Sequence, residues 1–223
     1  MEQRLNDAFV NAGCLLFFAE QAATSRQNDI LDSLLYVQLA ASKKHPRFTG
    51  FKRWKETWLA AALRFGWVLG ANEHFSEPAS KAGTDTVWGI CARALNTLVD
   101  DAVVCEARSL AGRDTQSEGS SLLASQALYV HAADGEPTQT TVVLQAGFVD
   151  SNGRLALAVI MLSTTQSLAS DFLFEPLQSG HLVGNVEVTV YSMRLMENVY
   201  VQFRSAFDTA LADRRAALVG RLC

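Results

Sequence analysis

The sequence has no apolar run long enough to cross a bilayer. About 20 residues are needed, and the longest uninterrupted run, Leu155–Leu162, has eight. The next candidate, LAAALRFGWVLGA, is broken by Arg64. The opening MEQRLNDAF has no basic leader, which argues against a secretory signal. Cysteine is scarce: Cys14, Cys91, Cys105 and Cys223 form no C-x-x-C pair, and none has a histidine at metal-ligand spacing. They are expected to be free, buried thiols of a reducing compartment, which places the chain in the cytoplasm. There is no G-x-S-x-G elbow, no cysteine with a histidine partner and no phosphate-cradling glycine loop. No metal, no cofactor and no catalytic residue is predicted. The net charge of −4 gives no general attraction to nucleic acid or to anionic membranes.

What is present is an ordinary globular composition: 223 residues, 49% apolar and 19% charged. The first half reads as helices. Leu5, Phe9, Ala12, Leu16 and Ala19 step by four and three, predicting a helix over 5–19. A second, capped by Asn28, carries Ile30, Leu34, Val37 and Ala41. A third carries Phe51, Trp54, Trp58, Ala62, Phe65 and Leu69 and stops near Gly70, before a loop, ANEHFSEPASKAG. A fourth starts at Thr84 or Asp85, carries Val87, Cys91, Ala94, Leu98, Ala102 and Cys105, and stops at Gly112. Residues 113–121 read as a surface loop, and 122–131 as either a short helix or a further strand.

The second half is rich in β-branched residues over 140–149, 154–164 and 183–195, which predicts three strands. Asn152-Gly153 is a two-residue hairpin signal. It sets Ser151 opposite Arg154 and Phe148 opposite Leu157. Residues 155–162 are apolar on both faces, so both must be covered, by helices in the first instance. Val186, Val188 and Val190 alternate with Glu187, Thr189 and Tyr191, which suits a half-solvated edge strand. The expected fold is a single α+β domain over 1–223. It has a helical part (1–131), a small antiparallel sheet of three to four strands (139–196) and a C-terminal helix (198–222). A homodimer through the sheet is a further expectation.

One stretch stands out, SKKHPRFTGFKRWKETW. Lys43, Lys44, Arg47, Lys52, Arg53 and Lys55 fall together with Trp54 and other aromatics against an acidic background. Cations suit the end of the second helix but not the start of the third, where the dipole disfavours them. An anion held between the two ends resolves the conflict. The leading expectation is therefore a non-catalytic binding protein that uses these seven residues to engage an acidic protein or anionic ligand. A secreted effector or toxin acting on membranes is the second reading, weakened because 155–162 has no polar face to line a pore. An enzyme built on Glu73, His74 and Glu77 is the third. Asp100, Asp101, Glu106 and Arg108 read as an exposed helix edge.

Overall fold

The computed structural model describes residues 4–78, 85–132 and 137–222. The chain opens on a hairpin, not a helix. Strands β1 (Leu5–Asn11) and β2 (Cys14–Ala19) are joined by Ala12 and Gly13, at φ 50° and 77°. Two successive left-handed residues match the twist of a two-residue hairpin. All six residues of β2 are buried. A strand covered on both faces shows no alternation, and its apolar residues here happen to fall at helical spacing.

Helix α1 (Thr24–Lys44) keeps the expected stripe of Ile30, Leu34, Val37 and Ala41 inside, but begins ahead of Asn28. Helix α2 (Phe51–Arg64) buries Phe51, Trp54, Trp58 and Ala62. Gly66, at φ 101°, then turns the chain into β3 (Trp67–Pro78). Leu69 thus lies in a strand, and so does the expected loop as far as Pro78. The rest of that loop, 79–83, lies outside the described residues, as does Thr84, one of the two expected starts of the fourth helix. The predicted fourth helix is interrupted. After β4 (Asp85–Thr86) comes α3 (Val87–Leu95), its first turn capped by the Thr86 hydroxyl on Gly89 N–H, and then α4 (Asp101–Ala111). Helix α5 (Glu118–Ala127) begins inside the expected surface loop and runs into β5 (Leu128–His131), so the ambiguous segment is part helix, part strand. The chain closes with β6 (Gln139–Val149), β7 (Arg154–Thr164), β8 (Pro176–Leu177), β9 (Leu182–Leu195), α6 (Glu197–Leu218) and β10 (Val219–Arg221).

The α+β class holds, but the sheet is neither small nor purely antiparallel. Eight strands form one sheet in the order β10-β1-β2-β6-β7-β9-β3, and β5 pairs with β6 as well. Strand β2 runs parallel to the second half of β6, and β5 antiparallel to its first half. Strand β9 is interior, flanked by β7 and β3, so the outer position belongs to β3. The β9 alternation was real: Val186 and Val190 enter one core, Tyr191 the other.

Helices cover both faces of the sheet. On one side α3, α4 and α5 pack on Val142, Leu144, Ala158 and Ile160. On the other, α1, α2 and α6 pack on Val143, Leu155, Leu157 and Val159. Among the described residues no helix is long and apolar enough to cross a membrane. Cys14 and Cys91 are buried as expected; Cys105 is exposed, and Cys223 lies outside the described residues.

The β6–β7 turn differs from expectation by one residue. Asp150 accepts from the N–H groups of Asn152 and Arg154 through Oδ1, and its carbonyl accepts from Gly153 N–H at 3.0 Å. Gly153 sits at φ 74°. This is a three-residue loop closed by a left-handed glycine. Phe148 therefore faces Ala156 rather than Leu157. Because side chains alternate, one step of register reverses every face on one arm.

Candidate binding groove

The basic stretch spans the junction of α1 and α2. Lys43 and Lys44 are exposed in the last turn of α1, where the dipole favours them. Helix α2 starts at Gly50 with no side-chain cap and no acid in its first turn. Lys52 and Arg53 project there into solvent. The electrostatic conflict read from the sequence is therefore present in the fold.

Two of the seven residues face inward. Arg47 buries its guanidinium, donating from Nη1 to the Ala12 carbonyl (2.6 Å) and from Nη2 to those of Gly13 (3.2 Å) and Val143 (2.8 Å). Its Cζ lies 5.1 Å from the Trp54 ring centroid. Burial pushes the guanidinium pKa down to about 10, with the neighbouring Cys14 opposing the shift. Trp54 is fully buried and donates from Nε1 to Ser42 Oγ at 3.0 Å. Both hold the junction together: Trp54 is closed off from solvent, and the Arg47 guanidinium is taken up by backbone carbonyls.

Lys52, Arg53 and Lys55 line a groove of about 900 Å³ between the start of α2 and the far ends of β3, β7 and β9. Phe48, Phe51 and Met161 supply apolar surface, while His74, Ser76, Glu56 and Glu187 complete the polar wall. Lys43 and Lys44 lie outside it. The groove's wall on the sheet side is a hydrogen-bonded chain. Lys55 Nζ donates to Thr189 Oγ1 at 2.8 Å, and Thr189 Oγ1 lies 2.9 Å from His74 Nδ1. His74 Nε2 is 3.0 Å from Glu187 Oε2, and Ser76 donates to Glu187 Oε1 at 2.6 Å. An ammonium only donates, so the Thr189 hydroxyl hydrogen is free to point at Nδ1. In that tautomer the ring carries its proton on Nε2, toward Glu187. Burial depresses the Lys55 pKa; Glu187 and Glu56 oppose that shift, and Lys52 adds to it.

Sequence spacing could not find Glu187, Thr189 or Ser76. His74 faces Thr189, and Ser76 faces Glu187, across a strand pair more than a hundred residues apart in sequence. The β9 alternation put Glu187 and Thr189 on one face; the missing information was which strand lay beside them. Glu73 and Glu77 do not join His74, because they pair with Val190 and Val186 on the other face of β3. Asp101 is held by Asn96 Nδ2 at 3.0 Å on the exposed edge of α4. Among the described residues no group of three or more His, Cys, Asp or Glu side chains is placed to hold a metal.

No family model and no curated protein matches the chain. Among solved structures it is similar to one titled delta-endotoxin, with a TM-score of 0.44 and 9% identity over 82% of this chain and 84% of that one. It is also similar to the Evf virulence factor, with a TM-score of 0.32 and 14% identity over 92% of this chain and 82% of that one. Both scores lie below 0.5, and neither likeness carries a function to this chain.

Proposed function

We propose that the protein is a non-catalytic binding protein whose α2 groove captures an acidic segment of a partner protein. One observation carries the reading: Lys52 and Arg53 stand exposed at a helix start with no side-chain cap, beside a groove with apolar surface and a further cation, Lys55. Like-signed charge at that end of a helix opposes folding, and a bound carboxylate relieves it. Phe48, Phe51 and Met161 give the partner's apolar side chains somewhere to sit, which a purely electrostatic patch lacks. Arg47 and Trp54, expected to contact the partner, act by shaping the junction from within.

The buried thiols of Cys14 and Cys91 suit a reducing compartment, and the proposal places the protein in the cytoplasm. Helices occupy most of both faces of the sheet, so a homodimer through the sheet would use an outer strand, β3 or β10.

The test is capture of a fluorescein-labelled deca-glutamate peptide, read by anisotropy at low salt, against Lys52→Glu/Arg53→Glu. Affinity should fall by roughly tenfold or more in the variant, and wild-type binding should weaken as salt rises. Equal affinity in the two proteins overturns the reading.

A further inference from the structure

The groove holds two kinds of cationic or donor group. Lys52 and Arg53 are exposed and make no ion pair among the described residues. His74 and Ser76, themselves exposed on β3, are both turned onto one carboxylate, that of Glu187. Each donor takes a different oxygen: Nε2 of His74 meets Oε2 at 3.0 Å, and Oγ of Ser76 meets Oε1 at 2.6 Å. Asn185 Nδ2 in turn donates to Ser76 Oγ at 3.1 Å, fixing that hydroxyl from behind. This is a two-pronged cradle for a carboxylate, lining the same groove as Lys55.

We propose that Glu187 is an internal stand-in ligand: it fills a carboxylate cradle made by His74 and Ser76, and an acidic partner engages fully only by displacing it. This inference rests on the reading of the groove as an acidic-segment site and deepens it by naming the group recognised, a side-chain carboxylate. The backbone of Glu187 is held between β7 and β3, opposite Met161 and Ser76. Displacement therefore needs only a rotation of its side chain, with no movement of the sheet. The incoming carboxylate inherits the same two donors, and the released Glu187 carboxylate turns to solvent. The exposed pair Lys52 and Arg53 makes first contact; the cradle then favours a segment whose acidic side chain reaches past α2. In the free protein the arrangement lowers affinity for any weak or diffuse anion, because each must compete with a carboxylate already in place.

The experiment measures the same deca-glutamate peptide on wild type, Glu187→Gln, Glu187→Asp, Glu56→Gln and His74→Gln, with circular dichroism confirming that each is folded. Glu187→Gln should bind roughly threefold tighter than wild type, the scale of one partly exposed contact to a charged group. Glu187→Asp keeps the charge but is shorter by one methylene, and it should also bind tighter. Glu56→Gln removes a charge from the same groove without touching the cradle and should gain less. In a His74→Gln background the gain from Glu187→Gln should shrink, as coupled groups require. Equal gains from Glu187→Gln and Glu56→Gln, with none from Glu187→Asp, would show a general charge effect and overturn the proposal. An undiminished gain without His74 would do the same. If wild type binds through Lys52 and Arg53 but Glu187→Gln changes nothing, only the stand-in role fails. If no variant binds, the groove reading fails with it.

Discussion

The guanidinium of Arg47 reaches the Val143 carbonyl at 2.8 Å, across 96 positions of sequence. The same side chain holds both carbonyls of the β1–β2 turn, at Ala12 and Gly13. One residue thus ties the α1–α2 junction to the hairpin and to the central strand β6. Its removal takes a donor from three inward-facing carbonyls, of which Gly13 keeps the Gln145 N–H at 3.3 Å, and an unpaired buried polar group costs more than a formed bond returns. Arg47→Met should lower the unfolding free energy by roughly 1–3 kcal/mol, measured by urea denaturation. Arg47→Lys should recover only part of that, because an ammonium cannot reproduce the planar fork. Full retention of the midpoint in Arg47→Met would mean that the contact is dispensable.

This residue also shows where sequence reading stops. Six cations near four aromatics were visible in the linear chain, and Lys52, Arg53 and Lys55 do share a groove. That Arg47 points inward was not visible, because its acceptors lie at positions 12, 13 and 143. Helix α1 was legible because a surface helix must show a 3.6-residue stripe, and Ile30, Leu34, Val37 and Ala41 supply it. Strand β2 was illegible for the converse reason: a strand buried on both faces has no stripe to show. The β6–β7 pairing was visible but its register was not. The Asp150 carboxylate, accepting from Asn152 and Arg154, selects a three-residue loop over the two-residue turn that Asn-Gly alone suggests.

Alkaline pH should destabilise the protein through its buried thiols. Burial pushes Cys14 up to about 12 from an ordinary 9.0, despite the opposing charge of Arg47. Cys91 is pushed up as well, by burial and then by the charge of Asp85. Each group's contribution is therefore fully present below pH 9 and is lost as pH rises toward the folded-state value, because the unfolded chain ionises first. Arg47 works the other way, but only above about 10, where the folded state begins to lose its proton. The window to measure is thus pH 9 to 10. The unfolding free energy should fall there by up to about 1.4 kcal/mol per pH unit for each thiol. Cys91→Ala should flatten the slope, whatever it does to the midpoint at pH 7. An unchanged slope would remove Cys91 from the account.

The attachment of α6 sets the third expectation. Of its 22 residues only Tyr200, Phe207 and Leu211 are buried. Phe207 stacks on Tyr36 of α1 with ring centroids 4.0 Å apart. Two forked ion pairs flank that stripe, Arg204 on Asp29 and Arg215 on Asp32, with nitrogen–oxygen distances of 2.7–2.8 Å. Arg204 and Arg215 are 44% and 32% exposed against 10% and 22% for Asp29 and Asp32, so solvent screens the pairs in part and each is worth about 1 kcal/mol. The aromatic stripe must therefore dominate. Phe207→Ala should cost about 3 kcal/mol, while Arg204→Ala and Arg215→Ala should each cost a fraction of that. Native-state hydrogen exchange locates the effect: with so narrow a buried stripe, α6 amides should open well below the global unfolding energy, and Phe207→Ala should lower that opening energy further. Arginine variants that loosen α6 more than Phe207→Ala does would reverse this ranking and make the ion pairs the principal clamp.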